Sequence, residues 1–538
     1  MKTLLKNCKI YDGTGEAAFM GEVLIDGDKI ASVSRYESEK PIDAASDVNV
    51  IDLNGKSLSS GFIDMHSHND WFAIKKDPLP YFEPFIRQGM TTFITGNCGL
   101  SAVGFRPDTE NLDKIGGGLF GYRNETTGVY PCAGDFLDAV DHNAPCNIAT
   151  LVGHCSARAD VTGYKNVKLN ADEEKQMLDN LETSLKSGAI GVSLGLMYEP
   201  GCYSNTDELK KVVELCCKYD KPLTVHPRAE SVVSMAYPQL LGRSHLLRAL
   251  DELVEISKGT NLKLQYSHAI FVGRRTLKDH GKFLEIVKKV RDDGVRFQFD
   301  IYNELKGVSV ITVILPDWYR GMTEEERNKP FNKLKLKTLV KATSLLLGFG
   351  YNDIEVAYIG PGYENYEGKT VHQLAKEYNM SDFDMYLKLC KESNFNGRVN
   401  MGPYTTPEII HDFENNPLCL YMTDAWVEDH GIQNPALYDC FPKFLQDSLK
   451  GVGDTMSATV RRMTGASADR FEIKDRGYVK PGYYADLTVF DEDELLNTVP
   501  DKTCSFGINK VFINGRVVLD DGKLNEDILK SCGMAIRG

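Results

Sequence analysis

Residues 61–68 read GFIDMHSH, an apolar run that ends in two histidines, His66 and His68, two positions apart. In extended backbone alternate side chains leave the same face, so these imidazoles project together from the end of a strand. Working outward, seven more short runs recur along the chain: Thr91–Asn97, Asn147–His154, Ala189–Leu196, Leu223–Arg228, Lys263–Ala269, Arg296–Tyr302 and Leu418–Ala425. Most are continuous apolar runs, the pattern of parallel strands buried on both faces. Amphipathic stretches separate them. One, DEEKQMLDNLETSLKS at 172–187, opens with acids and is followed by Gly188, as a capped helix should be. Eight strand–helix units predict an α/β chain folded as a (β/α)8 TIM-like barrel.

The chain ends read differently. Ile25-Asp26-Gly27-Asp28-Lys29-Ile30 and Ile513-Asn514-Gly515-Arg516 each set a tight-turn dipeptide between strand residues, a strong hairpin signal. Neither end is long enough to bury a good core alone, so residues 1–60 and 475–538 are expected to form one small β-sandwich domain. The catalytic barrel would then occupy residues 61–474. Its seventh and eighth strands lie too far apart for a normal crossover, which predicts an inserted, partly helical subdomain around 311–416, over the barrel mouth. Gly116, Gly117 and Gly118 follow no strand, so they do not read as a phosphate loop but as part of that mouth.

Composition narrows the function. With 538 residues, 42% hydrophobic and 26% charged, the chain reads as globular. Its 62 basic residues against 76 acidic ones give a net charge of −14, which disfavours binding to nucleic acid. No apolar run of about 18 residues is present to span a membrane, and the N-terminus lacks a secretory core, so the expected location is cytoplasmic. There, most of the 13 cysteines should be reduced. No heptad repeat decides for or against an oligomer.

Chemistry should gather at the C-terminal ends of the barrel strands. His66 and His68 end strand one, Cys98 follows strand two, His226 and His268 end strands five and six, and Asp424 ends strand eight. A lone histidine there is ordinarily a satisfied polar residue, a lone cysteine a small hydrophobe and a lone aspartate a helix cap. Four of only 11 histidines joined by a Cys and an Asp at five strand ends point instead to a metal site.

At these residues the chain resembles the amidohydrolase superfamily and, within it, the N-acyl-D-amino-acid deacylases (D-aminoacylases). The likeness rests on GFIDMHSHND, TGNCGLS, LVGHCSAR, GLMYEPG, TVHPR and YSHA, and continues through ILPDWYRGMTEEER, RMTGASADRF, DRGYVKPGYYADLTVFD and GINKVFINGRVV. Most members of the superfamily use a carboxylated lysine from strand four. AIGVSLGLMYEPG contains none, consistent with Cys98 taking that place. The resemblance implies a zinc-dependent hydrolase of a small-molecule amide, cleaving a non-peptide C–N bond. Cys98, His226 and His268 would hold a tight Zn2+, and His66, His68 and Asp424 a second, weaker position. Asp424 would also be the catalytic acid–base, and Tyr198 would orient the substrate.

One part of the family pattern is broken. The deacylases bind the substrate α-carboxylate with a lysine two residues after the strand-six histidine and an arginine beyond the strand-eight aspartate. Here those places hold Ile270 and Ala436. Neither can replace a charge-assisted clamp. Either other cations have moved in, with Arg274 the first candidate and Arg275, Lys306 and Lys443 behind it, or the substrate carries no free α-carboxylate. Two rival readings follow: a cyclic-amide hydrolase of the hydantoinase or dihydropyrimidinase type, and a barrel that has lost catalysis.

Overall fold

The computed structural model describes residues 2–42, 46–112, 114–115, 120, 128–234, 236–237 and 242–538; Gly116, Gly117 and Gly118 lie outside them. Strands one to eight of the barrel are Phe62–Asp64, Met90–Thr95, Asn147–Thr150 with Val152–Gly153, Val192–Gly195, Leu223–His226, Leu264–Tyr266, Gln298–Ile301 and Cys419–Tyr421. Each pairs in parallel with the next. Strand three breaks at Leu151, so its first half pairs with strand two and its second with strand four. Strand eight returns to strand one through Thr423, whose hydroxyl and N–H donate to the Asp64 carboxylate at 2.5 and 3.2 Å. The Asp424 N–H also donates to the His66 carbonyl at 3.2 Å. The α/β barrel order read from the sequence therefore holds, with shorter strands than the apolar runs suggested. No helix among the described residues is long and apolar enough to cross a membrane.

Local rules explain the connecting elements. Helix Ala171–Lys186 starts at Asn170, whose side chain accepts from the N–H groups of Asp172 and Glu173 while Glu173 reaches back to Asn170. Two orphan donors are thereby satisfied at the helix entrance. Both hairpins form: Asp26 pairs with Lys29 and Ile513 with Arg516, with Gly27, Asn514 and Gly515 at positive φ.

Both chain ends share one nine-stranded sheet, joined where Leu487–Phe490 runs antiparallel to Ser57–Ser60. It encloses its own core, which includes Leu5, Ile10, Val23, Leu58, Leu487 and Phe512. A buried polar cluster ties the sheet to the barrel: Asp486 pairs with Arg476 and accepts from Asn147 at 3.1 Å, and Asn514 donates to Asn147 at 2.8 Å. Between barrel strands seven and eight, Gly307–Val310, Arg398–Met401 and Ile354–Tyr358 form an antiparallel sheet beside helices Pro330–Leu347, Val371–Glu377 and Asp382–Glu392. This sheet begins at Gly307, ahead of the expected boundary at Ile311. Helix Pro407–Glu414 is part of the barrel packing, since its Phe413 lies 5.0 Å from Phe299 and 6.0 Å from Phe283.

Candidate metal centre

Strand one delivers His66 and His68 to a pocket where both are almost wholly buried. Cys98 arrives on a tight turn after strand two. Gly99 in that turn has φ +72°, and a Cβ there would lie 2.7 Å from the strand-four backbone at Gly195. A Cβ on Gly195 would in turn lie 1.9 Å from the Cys98 carbonyl oxygen. Strand four thus contributes an absence of side chain, which lets the cysteine turn settle against it. Cys98, His268 and Asp424 all have positive φ, at 54°, 35° and 47°. Such backbone costs a non-glycine residue about 1–3 kcal/mol and persists where the surroundings enforce it, as they do at functional sites.

The six candidates converge. Cys98 Sγ lies 3.3 Å from His66 Nε2, 3.7 Å from His226 Nδ1 and 3.6 Å from His268 Nε2. The last two nitrogens are 2.7 Å apart. Asp424 Oδ1 is 3.5 Å from Nε2 of both His66 and His68. Three overlapping triads have metal-ligand spacing: His66–His68–Cys98, Cys98–His226–His268 and His66–His268–Asp424.

Electrostatics follow from this packing. Burial alone would raise the Cys98 thiol, but His66, His226 and His268 bring it well below its ordinary value. Burial likewise opposes charge on His66 and His68. The Cys98 thiolate and Asp424 outweigh it, raising them to about 10 and about 9. Burial also works against the Asp424 carboxylate, yet His66 and His68 hold its pKa low. A thiolate and carboxylate interleaved with imidazoles make a pocket whose protons a cation can displace.

Residues not singled out from the sequence complete the centre. Glu230, 5% exposed, sets Oε1 2.8 Å from His268 Nδ1 and Oε2 3.9 Å from His226 Nε2, behind both rings. Asp300 on strand seven accepts from the His268 N–H at 2.7 Å and lies 3.5 Å from His66 Nδ1. Buried carboxylates behind histidines commonly fix ring orientation in metal sites. An acid four residues after His226 and an acid inside the apolar strand QFDI were the available signals. Phe120 stacks on His68 at 4.8 Å, and Trp426 meets the same ring edge-on at 5.6 Å, giving that side an aromatic wall.

The substrate-end candidates separate. Tyr198 lies beside His226, ring centroids 4.5 Å apart. Ile270 directly follows the strand-six turn, its N–H on the His268 carbonyl at 2.6 Å. Ala436 is fully buried, with its carbonyl accepting from Gln88. Arg274, expected to contact substrate, instead clasps Asp353 with both terminal nitrogens at 2.7 and 2.8 Å, because the insertion brings that carboxylate to it. Lys306 pairs with Glu355 and Lys443 with Glu304. His154 is buried against Glu208 at 2.8 Å, as is Arg158 at 3.0 Å, forming a framework cluster.

With this geometry in place, comparisons with known proteins can be read. Residues 49–279 match the model of an amidohydrolase family. The chain is similar to the D-aminoacylase of Alcaligenes xylosoxydans xylosoxydans, with 26% identity over 530 residues, covering 96% of this chain and 94% of the relative. An N-acyl-D-aspartate deacylase of the same organism is 23% identical, covering 96% and 92%. Among solved structures, a D-aminoacylase described as having a binuclear metal centre superposes with a TM-score of 0.76 at 23% identity, covering 100% of this chain and 99% of that one. An N-acyl-D-glutamate deacylase of Bordetella bronchiseptica, complexed with zinc and a phosphonate inhibitor, gives 0.75 at 22%, with the same coverage. The structural likenesses speak for the fold, and the sequence matches, together with the strand-end residues, support a relation to the amidohydrolase family.

Proposed function

We propose that the chain is a zinc-dependent amidohydrolase that cleaves a non-peptide C–N bond in a small amide lacking a free α-carboxylate. The observation that carries the reading is the meeting of Cys98, His226 and His268 within 3.7 Å, beside Asp424. The donor chemistry fits zinc: one thiolate and two imidazoles, with bonds near 2.3 and 2.0 Å, place ligand atoms roughly 3.3–3.6 Å apart. The sulfur–nitrogen spacings of 3.6 and 3.7 Å lie at or just past the upper end of that range, and the two imidazole nitrogens, 2.7 Å apart, need to part. His66, His68 and Asp424 would form a second, weaker position.

When bound, the ion supplies Lewis acidity towards the amide carbonyl and acidifies water. The protein side of the reaction belongs to Asp424, which takes the proton of the attacking water and passes it to the leaving nitrogen. An amide nitrogen departs poorly without that proton. His66 and His68 hold Asp424 in its charged form, ready to accept. Tyr198, next to His226, would orient the carbonyl, and the Phe120–Trp426 wall would limit water on the His68 side.

Two features support a neutral substrate end: apolar Ile270 beside the strand-six turn, and carboxylate partners already taken by Arg274, Lys306 and Lys443. Cyclic amides and imides fall within this class. A panel of N-acetyl-D-amino acids, neutral acyclic amides and cyclic amides tests it. Neutral substrates should be preferred, and deacylase-like rates on the free acids would overturn the substrate reading. Asp424→Asn should lower kcat roughly 100- to 10,000-fold while the tight ion is retained, as measured by metal analysis. Full activity in that variant would remove Asp424 from the mechanism.

A further inference from the structure

A second set of metal-type ligands lies outside this pocket. His411 and Glu414 stand three residues apart on helix Pro407–Glu414, and Asp447 faces them from helix Ala436–Leu449. Their donor atoms all lie within 4.8 Å of one another. Asn303 clamps the two carboxylates, its Nδ2 donating to Glu414 Oε1 at 3.2 Å and to Asp447 Oδ2 at 2.6 Å.

Glu414 is the odd residue. It is 1% exposed, and its Oε2 has no hydrogen-bond partner. A buried carboxylate oxygen left alone is costly. The neighbouring basic groups are directed elsewhere: Lys443 to Glu304 at 2.5 Å and Arg462 to Asp454 at 2.7 Å. The space at Oε2 is kept open by Gly453, where a Cβ would lie 2.7 Å from that oxygen. His411 and Asp447 are only partly buried, which gives an ion a way in from solvent. Among the described residues the His411 ring has no hydrogen bond or ion pair.

We propose that His411, Glu414 and Asp447 form a binding site for a divalent first-row cation, separate from the centre around Cys98. One imidazole and two carboxylates suit Zn2+ or Mn2+, and their formal charge balances the ion. Bound there, the ion would bridge two helices and, through Asn303, brace the segment that follows Tyr302. Burial and the nearby Asp447 charge push the Glu414 carboxyl up to about 9, so a proton is the competitor the ion must displace.

Equilibrium dialysis of the full chain against Zn2+ alone and against Mn2+ alone, after chelator treatment, tests the site. At saturation wild type should hold one ion more per chain than either His411→Ala or Glu414→Gln, with turnover in the variants within about twofold of wild type. Equal stoichiometry in all three proteins, for both metals, would overturn the proposal and leave the carboxylates sharing a proton. If Glu414→Gln fails to fold, His411→Ala, at a partly exposed position, decides the outcome alone.

Discussion

Glu230 shows how much one unassigned side chain can govern. Its two oxygens face the outer nitrogens of His226 and His268, turning the inner nitrogens towards Cys98. Replacing it with glutamine keeps the shape but removes the charge that favours imidazole donors on that side. Glu230→Gln should weaken metal affinity about 10- to 100-fold, read by competition with a chromophoric chelator. Unchanged affinity would reduce Glu230 to packing. The six ligand candidates were legible in the sequence because each ends an apolar run. Glu230 was not, because its partner His268 lies on another strand and only the fold brings them together.

Among the elements, helix Ala171–Lys186 was the most completely readable, since its acids and its closing glycine are local signals; the Asn170 cap came with the structure. Asn170→Ala removes the side chain that bonds two amide groups at its entrance. It should cost about 1 kcal/mol, seen as a lowered unfolding midpoint in denaturant with activity retained. A wild-type midpoint would mean water caps that helix equally well. The insertion was less legible. Its antiparallel sheet joins Gly307–Val310 to Arg398–Met401 across a long stretch of chain, and its Asp353 captures Arg274. Nothing local to Arg274 announces that partner.

For the molecule as a whole, the metal centre links protonation to binding. His66 and His68, with pKa values raised to about 10 and about 9 by the thiolate and Asp424 against the opposing effect of burial, carry protons at neutral pH in the metal-free protein. Metal occupying their position must release those protons, so binding there should strengthen as pH rises from 6 to 8. The slope should approach about tenfold per pH unit for each proton released. Calorimetric titration in buffers of different ionisation enthalpy measures the protons directly. An affinity independent of pH would show that these histidines are already neutral. The same raised values have a stability consequence in the metal-free state: the contribution of the charged imidazoles is full below the ordinary histidine value of 6.5, declines as pH rises from there, and is gone once pH passes the folded values of about 9 and about 10.

By itself, the amino-acid order determined the run of parallel strands, the hairpins at both ends, the acidic start and glycine stop of the 172–187 helix and the ligand types at the strand ends. These depend on periodicity, turn chemistry and residue identity over a few positions. Only the tertiary structure decided which carboxylates stand behind the histidines, which cations are already paired, and that Ala436 is sealed in the core. Those outcomes rest on through-space charge pairing and burial between segments tens to hundreds of residues apart, and no local pattern encodes them.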